Sequence, residues 1–450
     1  MSSAEPDAPD TAHPPADDPL AGLPDELAVE PLTGPLDARV RPPGSKSVTN
    51  RALVCAALAR GATTLHGVLV ADDTEAMLEC LHGLGVPLRL DRHAGIVEVE
   101  GNRGRFPDEG ALLDARMSGT TSRFIAPVAA LGTTTVVLDG APQLRARPMR
   151  ELFDALRALG AGITPLGEPD HLPVQIDGNG LEGGALQVRG DVSSQFLSAL
   201  LLSAPEMRRG LDVEVVSELV SRPYVELTLR VMEAFGAASQ WQGEQRIHVE
   251  GAGYRAPGTY HVEPDASAAS YFFAAAALCG GSVTVEGLGT TSSQGDVAFV
   301  DALERMGAMV ERGHDRITVT GTGELQGIEI DMSDISDTAQ TLAVLAPFAS
   351  SPTRVTGIGF IRQKETDRVG AVVTELARLG VDAREEPDGF VIEPGTPSGG
   401  VVRTYDDHRM AMSFALIGLR VPGIRIADPR CVAKTFPGYW RALDQLRAGR

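Results

Sequence analysis

A polar, turn-like segment opening an Ala/Leu-rich stretch occurs six times in this chain, and that recurrence constrains the fold more than any other feature. The copies are Gly44-Ser45-Lys46-Ser47, Ser118-Gly119-Thr120-Thr121-Ser122-Arg123, Asp191-Val192-Ser193-Ser194-Gln195, Asp265-Ala266-Ser267-Ala268-Ala269-Ser270, Asp337-Thr338-Ala339-Gln340 and Tyr405-Asp406-Asp407-His408-Arg409. They lie roughly 70–75 residues apart, the spacing of a repeated supersecondary unit. A second signature keeps step with the first. An amphipathic helical pattern ends at Gly85, Gly160, Gly236, Gly307 and Gly380, where a left-handed glycine closes a helix at little cost. Alternating apolar residues such as Ile96-Val97-Glu98-Val99 follow and read as strands. Tyr439 to Leu446 reads as the sixth such helix, cut short by the C-terminus.

Each unit therefore predicts strands plus two helices, in a βαβαββ-type order. One helix of each unit is apolar on every side and must be buried on every side. The expected architecture is α/β, with buried helices wrapped by sheets as an inside-out barrel. Six units divide most simply into two similar domains of three. The polar first turns would then converge on one cleft, where helix N-termini and their unpaired N–H groups favour an anionic ligand.

The remaining composition narrows the function classes. The chain has 450 residues, room for two or more cores, and its 43% apolar and 22% charged residues fit a soluble globular protein. No apolar run is long enough for a bilayer, and the N-terminus lacks a signal-peptide layout. Cys55, Cys80, Cys279 and Cys431 have no metal or redox spacing. These features predict a cytoplasmic protein with reduced thiols. A net charge of −20 argues against a nucleic-acid partner. Residues 1–27 are acidic, proline-rich and free of Lys and Arg, and they read as a disordered tail, too acidic for a transit peptide.

Lysine usage points to the chemistry. Of 40 basic residues the only lysines are Lys46, Lys364 and Lys434. An ammonium is a compact point charge with a tunable pKa, unlike a guanidinium. All of them fall in segments that stand out on other grounds. Lys46 follows Pro42-Pro43-Gly44-Ser45 at the start of an apolar helix, without the glycine spacing of a nucleotide P-loop. Lys364-Glu365-Thr366-Asp367-Arg368 precedes an amphipathic helix, and Ala433-Lys434-Thr435-Phe436-Pro437 lies in an apolar setting. Arg145-Ala146-Arg147-Pro148, Ser193-Ser194-Gln195 and Ser221-Arg222-Pro223-Tyr224 add cations and neutral donors. Taken singly, these are ordinary surface arginines and helix caps. Asp407-His408-Arg409 is harder to explain that way, because it sets charges against a buried helix. Cations Lys46, Arg51, Arg123, Arg147, Lys364, Arg368, Arg409 and Lys434, with acids Asp337 and Glu365, suit a small polyanionic substrate and a reaction with proton transfers. No Cys/His cluster suggests a metal.

The same motifs carry a family resemblance. Pro43-Gly44-Ser45-Lys46-Ser47, Asn50-Arg51-Ala52-Leu53, Ser118-Gly119-Thr120, Arg147-Pro148-Met149, Val192-Ser193-Ser194-Gln195-Phe196, Lys364-Glu365-Thr366-Asp367-Arg368, Asp407-His408-Arg409-Met410-Ala411-Met412 and Ala433-Lys434-Thr435-Phe436-Pro437 resemble the 3-phosphoshikimate 1-carboxyvinyltransferase branch of the enolpyruvyl transferases. The resemblance runs from about Leu36 to the C-terminus. It implies a first domain of residues 28–43 plus 263–450 and a second of 44–262, joined by chain crossings near 41–44 and 262–264. It also implies transfer of the enolpyruvyl group of phosphoenolpyruvate to the 5-hydroxyl of shikimate 3-phosphate through a tetrahedral intermediate, by a monomer without metal or cofactor.

By that resemblance, Lys46, Ser47, Arg51, Ser193, Ser194, Gln195, Ser221, Asp337 and Lys364 hold the phosphorylated ring. Lys46, Gly119, Arg147, Gln195, Arg368, Arg409 and Lys434 hold phosphoenolpyruvate. Asp337 is the expected base and Glu365 the expected acid, with Lys46 or Lys434 assisting. Lys364 and Arg368 beside Glu365 should depress its pKa and disfavour the acid form. Three positions depart from the family pattern. Met117 and Phe360 each stand where asparagine is common, and Gln143 where arginine is common. Met117 and Gln143 are expected near the phosphoenolpyruvate pocket. The related transferase acting on a nucleotide sugar uses a cysteine in the loop matching Gly140 to Pro148, which has none here. A non-catalytic anion-binding protein is the alternative of another class, and intact Asp337 and Glu365 weigh against it.

Overall fold

The computed structural model describes residues 18–107 and 109–447. Among these residues the strands form six sheets, one for each sequence repeat. The second repeat shows the common order. Strand Ala111–Asp114 leads into helix Gly119–Leu131 and returns as the parallel strand Thr135–Asp139, with Leu112 opposite Val137. Helix Arg150–Ala158 follows. Strands Gly162–Pro165 and Val174–Asp177 then add antiparallel, Val136 lying opposite Ile176. The third and fifth repeats pair their strands in the same pattern.

The helix that opens each unit is buried on all sides, as its composition requires. In Ala266–Cys279 every residue from Ala266 to Leu278 is buried, and in Gly119–Leu131 every residue from Gly119 to Ala130. The second helix of each unit exposes one face and ends in a recurrent motif. The N–H groups of Val86, Ala161, Ala237, Ala308 and Val381 bond to carbonyls five residues earlier. The preceding glycine must be left-handed for this bond to form, as at Gly85 (φ 76°) and Gly307 (φ 106°).

Two repeats exchange their leading strands. Leu36–Val40 precedes the helix Lys46–Leu58, yet it pairs with Gly281–Glu286, which follows the helix Ala266–Cys279. Gly258–His261 precedes that second helix but pairs with Ala59–His66, which follows the first. The two connecting segments run side by side. The Ser45 N–H donates to Glu263 O and the Asp265 N–H to Pro43 O, both at 2.8 Å. Gly44 is obligatory at this point, because a Cβ there would lie 1.9 Å from the Gly67 carbonyl oxygen. The buried apolar residues fall into two clusters. One draws on Val29 to Ala38 and Ala266 to Leu446, the other on Val48 to Val262.

The N-terminal tail needs correction. Residues 1–17 lie outside the described residues, but 18–27 are part of the fold. Leu20, Leu23 and Leu27 pack against the first cluster, and Glu26–Ala28 pairs antiparallel with Ile424–Ala427. Among the described residues the sixth repeat ends at helix Tyr439–Arg447, with no hairpin after it. The strand next to Ile424–Ala427 therefore comes from the other end of the chain, which composition alone did not reveal.

Candidate active site

Five of the six buried helices begin with a side-chain cap. Ser45, Ser118 and Ser193 accept from the N–H groups of Val48, Thr121 and Gln195, and Asp265 and Asp407 from those of Ala268 and Arg409. Ser45 caps the first helix, which makes Lys46 its first residue. The fifth differs. Helix Ala339–Leu345 starts from the 3-10 turn Ser333–Thr338 without a side-chain cap, and the Asp337 carboxylate is free for other partners.

Those partners are cations. Arg409 Nη2 lies 2.7 Å from Asp337 Oδ2, while Arg368 Nη1 lies 3.2 Å and Lys364 Nζ 3.8 Å from Oδ1. Arg368, only 2% exposed, also reaches Glu365 Oε2 and Asp407 Oδ2, each at 2.8 Å. Lys434 joins the two sides of the cleft. Its Nζ lies 3.0 Å from Asp73 Oδ1, donates to the Met117 carbonyl at 2.9 Å, and lies 3.9 Å from Glu365 Oε1. Lys46 Nζ meets the other Asp73 oxygen at 3.2 Å. The result is a continuous charge network across the gap between the two halves.

On the far wall, Arg147 and Arg123 are buried with no carboxylate in ion-pair range among the described residues, and some of their N–H groups have no partner. A buried cation without a counter-ion is costly, so these two favour an anion between them. Gly119 makes room, since a Cβ there would sit 2.9 Å from Arg147 Nη1. Arg145, two residues before Arg147, merely pairs with Asp139 at the surface.

Burial raises the Asp337 carboxyl pKa, but Arg409, Lys364, Arg368 and Lys46 outweigh it and hold the group far below the usual range. Glu365 behaves alike: burial opposes ionisation, and Arg368, Arg147 and Lys434 overcome it. Its depression has the expected direction, with Arg368 rather than Lys364 leading. Burial, then Lys46 and Arg409, push His408 well below its usual value, so its ring is neutral.

One cavity of about 30 Å³, space for a water or two, is lined by Lys46, Gly119, Arg147, Gln195, Asp337, Lys364, Glu365, Arg368 and Arg409. Asp73, Thr120, Arg123 and Gln363 complete it. Asp73 escaped the sequence reading because an acid in the first turn of a helix is ordinary; its burial at 3% exposure is what marks it. Lys434 lines this network's other side, in a cavity of about 350 Å³ that also contains Met117 and Asp73.

Ser47, Arg51, Ser193, Ser194 and Ser221 line neither cavity. Arg51 is 2% exposed and donates to Thr228, Ser198 and the carbonyls of Ser47 and Tyr224. Ser221 Oγ donates to the Ser333 carbonyl of the other half at 3.2 Å. Of the departures from the family pattern, Met117 contributes its carbonyl, Gln143 is exposed, and the Phe360 ring lies 5.9 Å from Lys364 Nζ.

Buried cations and two ionised carboxylates, gathered from both halves of a repeated α/β fold, define a site that binds a small polyanion and can move protons. The comparisons with known proteins agree with that class. The chain belongs to the EPSP synthase (3-phosphoshikimate 1-carboxyvinyltransferase) family, whose model matches residues 32–443. It is 46% identical over 423 residues to a 3-phosphoshikimate 1-carboxyvinyltransferase of Nostoc punctiforme, covering 94% of this chain and 99% of the relative. An enzyme of that name from Methanoculleus marisnigri is 46% identical over 413 residues, covering 91% and 97%. Among solved structures, an EPSP synthase of Acinetobacter baumannii superposes with a TM-score of 0.78 at 27% identity, over 94% of this chain and 98% of that one. The enolpyruvyl transferase NikO of Streptomyces tendae shares the fold, with a TM-score of 0.71 at 19% identity over 94% and 96%.

Proposed function

We propose that this chain transfers the enolpyruvyl group of phosphoenolpyruvate to the 5-hydroxyl of shikimate 3-phosphate, releasing phosphate, in the shikimate pathway. Family membership over nearly the whole chain supports the reaction, and one structural observation supports the site: Asp337 is released from helix capping and held among Arg409, Arg368 and Lys364. In this reading Asp337 takes the proton of the attacking hydroxyl, and Glu365 protonates the methylene carbon of phosphoenolpyruvate. The central carbon gains cationic character and the hydroxyl oxygen adds; the tetrahedral intermediate then expels phosphate while its methyl group returns one proton to the ionised Glu365, restoring the carbon–carbon double bond. Lys46, Gly119, Arg147, Gln195, Arg368, Arg409 and Lys434 receive phosphoenolpyruvate. Lys46, Ser47, Arg51, Ser193, Ser194, Gln195, Ser221, Asp337 and Lys364 surround the ring substrate. For Ser47, Arg51 and Ser221 this requires a rearrangement from the contacts described above.

Glu365 must gain a proton before it can act. The negative charges of phosphoenolpyruvate, placed against Arg147, Arg368 and Lys434, would offset the cations that depress it. We read the chain as a cytoplasmic monomer of two domains, 28–43 with 263–450 and 44–262, each an inside-out barrel of three units. The domains close on the first substrate, because Lys46 and Lys434 come from different halves.

The test is phosphate release from phosphoenolpyruvate, with and without shikimate 3-phosphate, in the presence of a chelator. Release that needs the acceptor and is abolished in Asp337→Ala is the expected result. No release from folded wild-type protein would overturn the reading.

A further inference from the structure

One buried acid beside this site has no part in that scheme. Asp296 lies in the short turn Gly295–Ala298 and is 4% exposed. Ser267 Oγ donates to its Oδ2, and the phenol oxygen of Tyr224, reaching over from the other half, lies 3.0 Å from the same atom. That phenol oxygen also lies 3.3 Å from Asp337 Oδ2. Among the described residues, Asp296 Oδ1 has no hydrogen-bond partner.

A phenol carries one proton and can donate to only one of two carboxylates. Asp337, ionised by its three cations, is the stronger acceptor. The Tyr224–Asp296 contact then needs its hydrogen from Asp296; otherwise the two buried carboxylates compete for the one phenol hydrogen, and an ionised Asp296 is left with the Ser267 hydroxyl as its only donor among the described residues. We infer that Asp296 is a positioning residue that carries a proton when the two halves are together, donating it to the Tyr224 oxygen and so directing the phenol hydrogen at Asp337. The inference rests on the proposed function, in which Asp337 is the base. Bringing the halves together takes one proton from solvent onto the Asp296 carboxylate, forming one O–H bond and no other.

The surroundings agree. Burial first, and the charge of Asp337 second, raise the Asp296 carboxyl to about 6, against lowering by Ser267, Arg409 and Tyr224. Arg409 itself is committed to Asp337 at 2.7 Å. On neighbouring elements Asp301, Glu304, Arg305 and Asp334 are exposed to solvent. Because the folded value is raised, the contribution is present at low pH and is lost as pH rises through about 6.

The experiment measures affinity for shikimate 3-phosphate at pH 5 and pH 7 in wild type, Asp296→Asn and Asp296→Ala, alongside turnover. The acceptor's own phosphate titrates in this window and cancels in the ratio of wild type to variant. The ratio of wild-type to Asn-variant affinity should fall about tenfold between these pH values. Asn, a permanent donor, should recover much of the affinity that Ala loses. A constant ratio, or an Asn variant no better than Ala, would overturn the inference. If the Asp296 variants fail to fold, wild type against Tyr224→Phe must show the same change in ratio, and a constant one again overturns it. A wild type that turns over with a constant ratio sinks this inference alone; a wild type without turnover sinks the functional reading and this with it.

Discussion

The two halves of the molecule start their buried helices differently. In residues 44–262 the caps are Ser45, Ser118 and Ser193, neutral side chains that satisfy one backbone N–H. The corresponding positions in 263–450 are Asp265, Asp337 and Asp407. A charged cap can serve two partners. Asp265 takes the Ala268 N–H with one oxygen and the Lys46 N–H of the other half with its second, at 2.8 and 3.1 Å. Asp407 takes the Arg409 N–H and the Arg368 guanidinium. Asp337 has given up capping altogether. The serine caps of one half thus serve their own helices, while two of the three aspartates of the other, Asp337 and Asp407, also hold the cations Arg368 and Arg409 in place.

The largest expected effect is at the acid that does not cap. Asp337→Ala should cut kcat for phosphate release by roughly 10²–10⁴, the usual value of a positioned base. Serine caps of the other half should show nothing comparable. A large kcat loss in Ser118→Ala, with Asp337→Ala mild, would break the comparison.

Asp407→Ala should be the next largest effect, on stability rather than chemistry. Asp407 is fully buried and its Arg368 partner nearly so, and removing one member of a buried pair costs about 3–5 kcal/mol. Ser118→Ala removes only a cap and should cost about 1 kcal/mol. Denaturant midpoints of the two variants measure the contrast directly. Equal losses would mean that the aspartate acts as a cap and no more.

Acid pH probes the same carboxylates together. Asp337 and Glu365 have folded pKa values far below the usual ones. Their stabilisation is complete above about pH 5 and is lost progressively as pH falls below their unfolded values of about 4 and on toward the folded ones. Thermal melts of the substrate-free protein should stay nearly level on their account from pH 7 to about pH 5 and drop from there to about pH 3. Glu365→Gln should make the drop shallower, and an unchanged curve would show that Glu365 contributes none of it.

Much of this was legible in the sequence because repetition amplifies weak signals. A single Ser45-Lys46-Ser47 is an ordinary helix start, but six equivalent starts identify buried helices whose first turns matter. The paired Arg145 and Arg147 show the limit of that reading: identical residues in one loop, one paired at the surface and the other buried in the site. Only tertiary packing separates them. The same holds for Asp73, which looks like any acid in a first turn until Lys46 and Lys434 meet on it. The Glu26–Ala28 strand was hidden because it pairs with a segment distant in sequence, and the strand exchange was implied by the family resemblance and not by the repeat pattern. Periodicity along a chain carries no information about such partners.

The smallest effect concerns how each half supports its own lysine. Lys46 is fixed by a helix first turn and an ion pair to buried Asp73. Lys364 has a longer contact to Asp337, at 3.8 Å, and the face of the partly exposed Phe360 ring 5.9 Å from its ammonium. A cation–π contact at that range is worth about 0.5–1 kcal/mol, or roughly a two- to fivefold change in an equilibrium constant. Phe360→Leu removes the ring's charge attraction and keeps an apolar support. It should raise KM for shikimate 3-phosphate by about that factor and leave kcat nearly unaltered, since Lys364 would bind the ground state and transition state alike. A fall in kcat at constant KM would mean that Phe360 tunes Lys364 for the chemical step. The acidic half would then hold its lysine for catalysis as well as for binding.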